Sequence, residues 1–282
     1  MPELKEEARY LLRQLEASAR KKLGQNFMVD EGVLEFMANA LNLKKDEPVI
    51  EIGPGLGFLT RFLLNHGASV TAVEKDPAYV EFLTPYFKHK KFRVIHADIL
   101  KTKIAELASG RPVKVCGNIP YNITSPLLEW LILQKNLVTE AILTVQWEVA
   151  ERLKAGPGTK AWGPLSVFLQ YHAEVETLKK IGPASFSPAP KVDSAVIRIL
   201  FLKKTKYEGT DETVFFSIVR RAFQKRRKTL LNALALEDKE AFSKKELELT
   251  LRTIRIDPTS RPETLSLEEW ALLAKQFSQS ML

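Results

Sequence analysis

Four consecutive residues, Asn118-Ile119-Pro120-Tyr121, combine a side-chain amide, a rigid main-chain carbonyl and a flat aromatic ring. The exocyclic amine of a heteroaromatic base such as adenine is a poor nucleophile, because its lone pair is delocalised into the ring. Two acceptors bonded to its two hydrogens draw that nitrogen toward tetrahedral geometry. The Asn118 side-chain oxygen and the Pro120 carbonyl oxygen are the candidate pair. Pro120 has no N–H and a restricted φ, which helps hold the loop in shape. Tyr121 offers a face on which a base can stack. The competing reading of the tetrapeptide alone is a tight turn with an aromatic packed beneath it, so its surroundings decide.

A second set of residues suits a nucleoside cofactor. Gly53-Pro54-Gly55-Leu56-Gly57 lies between an apolar run and a helical pattern, where glycines let the backbone turn sharply and approach a ligand. Glu74 lies 19 residues beyond Gly55, where a carboxylate can accept from two ribose hydroxyls. Asp98 follows at the end of a further apolar run, placed to accept from an adenine amine. Phe58 stands where the last glycine of a dinucleotide fingerprint would be, and no Walker lysine follows. A sulfonium methyl donor suits the tetrapeptide, because it carries a positively charged methyl and leaves as a neutral thioether. Transfer then needs alignment more than a metal or an activated serine or cysteine. His66, His89, His96 and His172 are scattered and form no metal set, and Cys116 is the single cysteine, so neither an internal disulfide nor a thiolate zinc cluster is expected.

The elements that must position these residues follow from periodicity. Strands are expected at 48–52, 69–74, 92–98, 113–117 and 141–145, with helical stretches between them, one of which starts at Phe58 directly after the glycines. Alternation of strand and helix implies an α/β fold, a mostly parallel sheet with helices on both faces. Two later runs, 171–178 and 193–202, read as an antiparallel addition that brings the sheet to seven strands. An amphipathic helix is expected over 3–18 and a second over 31–42. The chain turns polar from Lys203 to Asp211 and is helical beyond, which places a domain boundary there. The expectation is a cofactor-binding domain over 1–205 and a small all-α domain over 206–282.

The 282 residues carry 45% hydrophobic and 27% charged side chains and a net charge of +8, the profile of a soluble globular protein with a weak bias toward polyanionic partners. The first residues have neither the apolar core of a signal peptide nor the composition of a transit peptide, and no apolar run approaches membrane-spanning length, so a cytoplasmic protein with no membrane partner is expected. The positive charge is concentrated. No acidic residue occurs from Phe215 to Ala235, and Arg220, Arg221, Lys225, Arg226, Arg227 and Lys228 fall within nine positions. The apolar spacing around them predicts one helix with a basic outer face suited to phosphates.

Taken in order, these motifs resemble those of the ribosomal RNA small-subunit adenine dimethyltransferases of the KsgA type. Leu23-Gly24-Gln25-Asn26-Phe27, Glu51-Ile52-Gly53-Pro54-Gly55-Leu56-Gly57, Glu74, Asp98-Ile99, Asn118-Ile119-Pro120-Tyr121, Glu148-Val149-Ala150-Glu151-Arg152 and Phe186-Ser187-Pro188-Ala189-Pro190-Lys191-Val192-Asp193-Ser194 carry the resemblance across most of the chain. It implies a Rossmann-like class I methyltransferase domain that binds S-adenosylmethionine, with no metal. Asn26, Met28, Gly53, Glu74, Asp98 and Asn118 would contact the cofactor, as would Gln25, Gly55 and Ile99 of the same motifs. Position 28 is usually leucine in the family, and a main-chain contact tolerates the methionine. Tyr121 and Phe186 would sandwich the target adenine.

The resemblance further implies dimethylation of two adjacent adenines in the 3′-terminal hairpin loop of 16S rRNA, within a pre-ribosomal small subunit, by a monomer that takes part in ribosome biogenesis. Two alternatives share these motifs: a large-subunit rRNA adenine methyltransferase of the antibiotic-resistance type, and a non-catalytic ribosome-assembly or transcription factor on the same fold.

Overall fold

The computed structural model describes residues 4–15, 26–108, 110–205, 207–225, 227–235 and 243–280. Gln25 and Arg226 lie outside the described residues. The chain divides into two compact units, Met1–Ala150 with Ala173–Lys203, and Glu151–His172 with Lys204–Leu282. The second unit thus takes in Glu151–His172, which falls within the 1–205 range expected for the cofactor-binding domain.

Nine strands and twelve helices are described. The strands are β1 (Phe27–Met28), β2 (Pro48–Ile52), β3 (Ser69–Glu74), β4 (Phe92–His96), β5 (Val113–Asn118), β6 (Val138–Gln146), β7 (Ala173–Ile181), β8 (Phe186–Ser187) and β9 (Ser194–Phe201). The helices are α1 (Leu4–Gln14), α2 (Glu31–Ala40), α3 (Phe58–Asn65), α4 (Pro77–Tyr86), α5 (Ile104–Leu107), α6 (Thr124–Leu133), α7 (Trp147–Lys154), α8 (Pro164–His172), α9 (Glu212–Gln224), α10 (Leu230–Leu234), α11 (Lys244–Thr253) and α12 (Leu267–Ser280).

The first unit is built on a seven-stranded sheet in the order β4-β3-β2-β5-β6-β9-β7. The pairs from β4 to β6 are parallel, and β9 runs antiparallel to both β6 and β7. The mostly parallel α/β sheet expected from the alternation of elements is therefore present, with the two late runs added at one side. Central strands covered on both faces need apolar residues on both faces. Accordingly Ala141, Ile142, Leu143 and Val145 of β6 are fully buried, as are Ala195, Val196, Ile197 and Ile199 of β9. The edge strand β7 instead exposes Glu174, Glu176, Lys179 and Lys180, charges that blunt an open edge. A two-stranded ribbon stands apart from the sheet: β1 pairs β8, with Met28 opposite Phe186.

The order of strands places the carboxyl ends of β2 and β5 side by side. Their close approach depends on Gly117. A Cβ there would sit 2.7 Å from the Ile52 carbonyl oxygen and 2.9 Å from the Ile119 side chain.

The second unit packs around aromatic rings. Phe168 and Tyr171 of α8 meet Phe216 and Phe215 of α9 at centroid separations of 4.5 Å and 4.2 Å. Those contacts give the physical reason that α8 belongs with the helical unit. Asp211 caps α9 by accepting from the Thr213 and Val214 amides, and Ser243 with Glu246 forms a capping box on α11. In place of the single helix expected through 215–235, α9 ends at Gln224 and α10 starts at Leu230. Arg221 and Lys225 are like charges at i,i+4 spacing, which weakens a helix. Thr229 supplies an N-cap for the restart, accepting from the Asn232 amide.

Gly117→Ala is expected to destabilise the protein by about 1–3 kcal/mol through overpacking. Urea unfolding measures this, and an unchanged midpoint would contradict the tight β2–β5 approach.

Candidate active site

One cavity of about 170 Å³ in the first unit opens at the carboxyl ends of β2, β3, β4 and β5, far more than the space one water needs. Carboxyl ends of an open parallel sheet are where such folds hold ligands. Most of the residues singled out from sequence meet here. Asn26, Met28, Gly53, Gly55, Glu74, Asp98, Ile99 and Asn118 line the cavity, and so do Pro120, Tyr121 and Phe186.

The turn after β2 leaves room for a ligand at one point. Gly53 has φ +63°, and a Cβ built on it would meet nothing within 4 Å. Its N–H is already held by the Val73 carbonyl at 2.9 Å. At the end of β3, Glu74 accepts from three main-chain amides: Gly55 at 3.1 Å, and Lys75 and Asp76 at 2.8 Å each. These bonds fix the carboxylate at the cavity wall. Burial nonetheless raises its pKa above the ordinary glutamate value, because desolvation outweighs the three N–H donors.

Asp98 caps the short turn after β4 by accepting from the Leu100 amide at 3.1 Å, and it pairs with Lys75 at 2.9 Å. Partial burial pushes its carboxyl up, but Lys75 and the Leu100 amide together bring it below the ordinary aspartate value. Two carboxyls at neighbouring strand ends therefore shift in opposite directions. Glu74 is enclosed, whereas Asp98 has a cation beside it.

The β1–β8 ribbon closes another side. The Val29 amide donates to the Ser185 carbonyl at 2.8 Å, and the Ser185 hydroxyl donates to Asp30 at 2.8 Å. This clamp carries Met28 and Phe186 to the same wall, and Phe186 is only 2% exposed. Asn118, at the end of β5, donates from Nδ2 to the Asn26 carbonyl at 2.7 Å. Its Oδ1 accepts from the Thr144 hydroxyl at 2.5 Å. The Tyr121 phenol shares a 2.6 Å hydrogen bond with the Ser194 hydroxyl. Burial raises the phenol's pKa, with the Ser194 contact opposing, so Tyr121 stays neutral.

Three residues of the site were not assigned a role from sequence. Glu51 lines the cavity floor, is 1% exposed and accepts from the Thr60 hydroxyl at 2.6 Å. A lone acid inside the apolar strand Pro48-Val49-Ile50-Glu51-Ile52 was a readable signal, since such a residue must find a partner. Thr144 and Ser194 carried no comparable sign, because each acts on a residue distant in sequence.

The described residues of the basic run belong to the second unit. Arg220, Arg227 and Lys228 are exposed, while Arg221 and Lys225 are half-buried. The Arg220 guanidinium lies 5.4 Å from the centre of the Phe168 ring.

The donor set fits S-adenosylmethionine. The cavity offers an acceptor at the end of β3, a second acceptor after β4, and a turn at Gly53 with no Cβ to fill the space. Residues 16–279 match the family of ribosomal RNA adenine dimethylases. A ribosomal RNA small subunit methyltransferase A from Hahella chejuensis is 42% identical over 258 residues, covering 91% of this chain and 92% of its own. One of the same name from Bacillus mycoides is 42% identical over 268 residues, covering 91% of this chain and 90% of its own. Among solved structures, the 23S rRNA methyltransferase ErmE aligns with a TM-score of 0.68 at 27% identity, over 90% of this chain and all of its own. A dimethyladenosine transferase from Plasmodium falciparum aligns with a TM-score of 0.75 at 24% identity, over 90% of this chain and 98% of its own, and shows the shared fold.

The buried Glu51 sets a pH dependence. Desolvation, with a smaller push from the nearby Glu74 charge and against the Thr60 hydrogen bond, raises its pKa to about 8. The folded protein thus holds a proton that the unfolded chain releases near the ordinary glutamate value of 4.5. Stability should fall as pH rises from about 4.5 to about 8, by on the order of a few kcal/mol. Glu51→Gln should flatten that decline in urea midpoints measured across the range. An undiminished decline in the variant would refute the assignment.

Proposed function

Because the chain belongs to the ribosomal RNA adenine dimethylase family and is a methyltransferase, we propose that it dimethylates the 6-amino groups of two adjacent adenines in the 3′-terminal hairpin loop of small-subunit (16S) rRNA, using S-adenosylmethionine. The observation that carries this reading is the convergence of the Asn118 amide, Tyr121 and Phe186 on the cavity that also holds Gly53 and Glu74. The small-subunit assignment is supported by relatives of that name at about 42% identity, against 27% for the large-subunit enzyme ErmE. In this reading the protein works as a monomer in the cytoplasm on a pre-ribosomal small subunit. Within residues 1–205 the first unit binds the cofactor, and 206–282 contact RNA.

When bound, S-adenosylmethionine supplies an electrophilic methyl on a sulfonium. Glu74 would accept from the ribose hydroxyls, Asp98 from the adenine amine, and the Asn26, Met28 and Gly53 region would meet the rest, with Gln25, Gly55 and Ile99 alongside. The remaining work falls on the target base. Tyr121 and Phe186 hold it between flat faces. Asn118 Oδ1 already accepts one hydrogen from Thr144 and has a second lone pair for the target amine. The Pro120 carbonyl is the partner acceptor, so the amine nitrogen is turned with its lone pair out of the ring plane. Its proton leaves once the nitrogen has gained the methyl and become cationic, so a strong base is unnecessary.

The basic residues Arg220, Arg221, Lys225, Arg226, Arg227 and Lys228 would supply a sequence-independent grip on the RNA backbone.

Small-subunit RNA incubated with enzyme and labelled donor, then digested for mass spectrometry, should show two adjacent dimethyladenosines. Asn118→Ala should lower kcat by about 10²–10³-fold, as loss of a preorganised polar group does. Label confined to large-subunit RNA would select the antibiotic-resistance reading, and label in neither would refute methyl transfer. Replacing Arg226, Arg227 and Lys228 with Gln should weaken RNA binding and flatten the slope of log affinity against log salt by about 2–3, with cofactor affinity unchanged. An unaltered slope would remove this segment from the interface.

A further inference from the structure

Resting on the methyl-transfer reading of this cavity, we propose that two buried hydroxyls, Thr144 on β6 and Ser194 on β9, are positioning residues that fix the Asn118 amide and the Tyr121 ring. Neither lines the cavity, and both have 0% exposure beside the buried apolar runs Ala141–Leu143 and Ala195–Ile197. Asn118 and Thr144 are register partners on β5 and β6, and Gln146 and Ser194 are partners on β6 and β9. Side chains of such partners project from the same face of a sheet. A hydroxyl in this apolar layer must bond to something, and each bonds to a residue that meets the cavity.

The Thr144 contact decides more than stability. A carboxamide can be rotated by half a turn with little change in shape. In the observed sense, Nδ2 donates to the Asn26 carbonyl and Oδ1 accepts from Thr144. In the reversed sense, Oδ1 would face the Asn26 carbonyl, acceptor against acceptor. Asn26 therefore chooses the sense, and Thr144 holds the oxygen in place from the sheet side. Thr144 also occupies one of the two Oδ1 lone pairs, so Asn118 has one left for the target amine. Without the hydroxyl, the oxygen loses both its fixed direction and its division of labour. Ser194 does for Tyr121 what Thr144 does for Asn118. Its hydroxyl pins the far end of the phenol and thereby the plane of the ring that stacks on the base.

The two residues should fail differently. Thr144→Val keeps the shape and removes the hydroxyl. It should lower kcat roughly tenfold, the equivalent of one lost hydrogen bond, with unchanged RNA KM and cofactor affinity. Thr144→Ser should restore the rate. Ser194→Ala should raise the RNA KM more than it lowers kcat. Should Thr144→Val not fold, Thr144→Ala is measured in its place.

A readout independent of activity completes the test. The side-chain NH₂ signal of Asn118 in ¹⁵N-labelled full-length protein, assigned by its loss in Asn118→Ala, should shift in the Thr144 variant and return in Thr144→Ser. An unchanged kcat together with an unmoved amide signal would overturn the proposal. So would a rate loss that Thr144→Ser fails to restore. If the wild-type protein methylates no RNA, the functional reading falls, while the amide signal still decides whether Thr144 orients Asn118.

Discussion

The carboxamide of Asn118 joins three pieces of chain that lie far apart in sequence. It sits at the end of β5, donates to the main chain at Asn26 ahead of β1, and accepts from Thr144 on β6. Each bond constrains the others. The Asn26 contact brings the β1 segment over the cavity, and the β1–β8 ribbon then brings Phe186 to the same wall. The Thr144 contact ties the amide to the most deeply buried part of the sheet. A small polar group can have this influence because its donor and acceptor point in opposite directions and both ends are taken up within a partly buried site.

The cavity wall is acidic for a physical reason consistent with a cationic ligand. Glu51 and Glu74 are both enclosed and both lifted in pKa by desolvation, with a smaller push on Glu51 from the Glu74 charge and on Glu74 from the Asp76 charge. Hydroxyl donors from a ligand would offset the desolvation of the Glu74 carboxylate. Asp98 stands apart, since Lys75 compensates it already. The three acids thus occupy similar positions at strand ends yet differ in what they can offer: a buried acid that can hold a proton, an acceptor fixed by three amides, and an ion-paired acceptor.

The helical unit illustrates a different balance. Its interior holds a cluster of aromatic rings from α8 and α9, while Lys225, Arg227 and Lys228 fall beyond the end of α9. Like charges at helical spacing oppose a continuous helix, and a threonine able to cap a new one follows within a few residues.

Much of this was legible in the amino-acid order. Short apolar runs and period-3.6 patterning separated strands from helices, and the glycine turn, Glu74, Asp98 and the Asn118–Tyr121 loop each announced themselves by residue type and by place at a strand end. These are local signals, written within a few residues of one another. Other facts depend on which strands lie side by side. That Thr144 faces Asn118, that Ser194 holds Tyr121, that α8 joins the helical unit, and that Glu51 keeps a proton all follow from packing. A hydroxyl in an apolar strand has no partner until the sheet order supplies one, and a carboxyl has no shifted pKa until neighbouring strands exclude water from it.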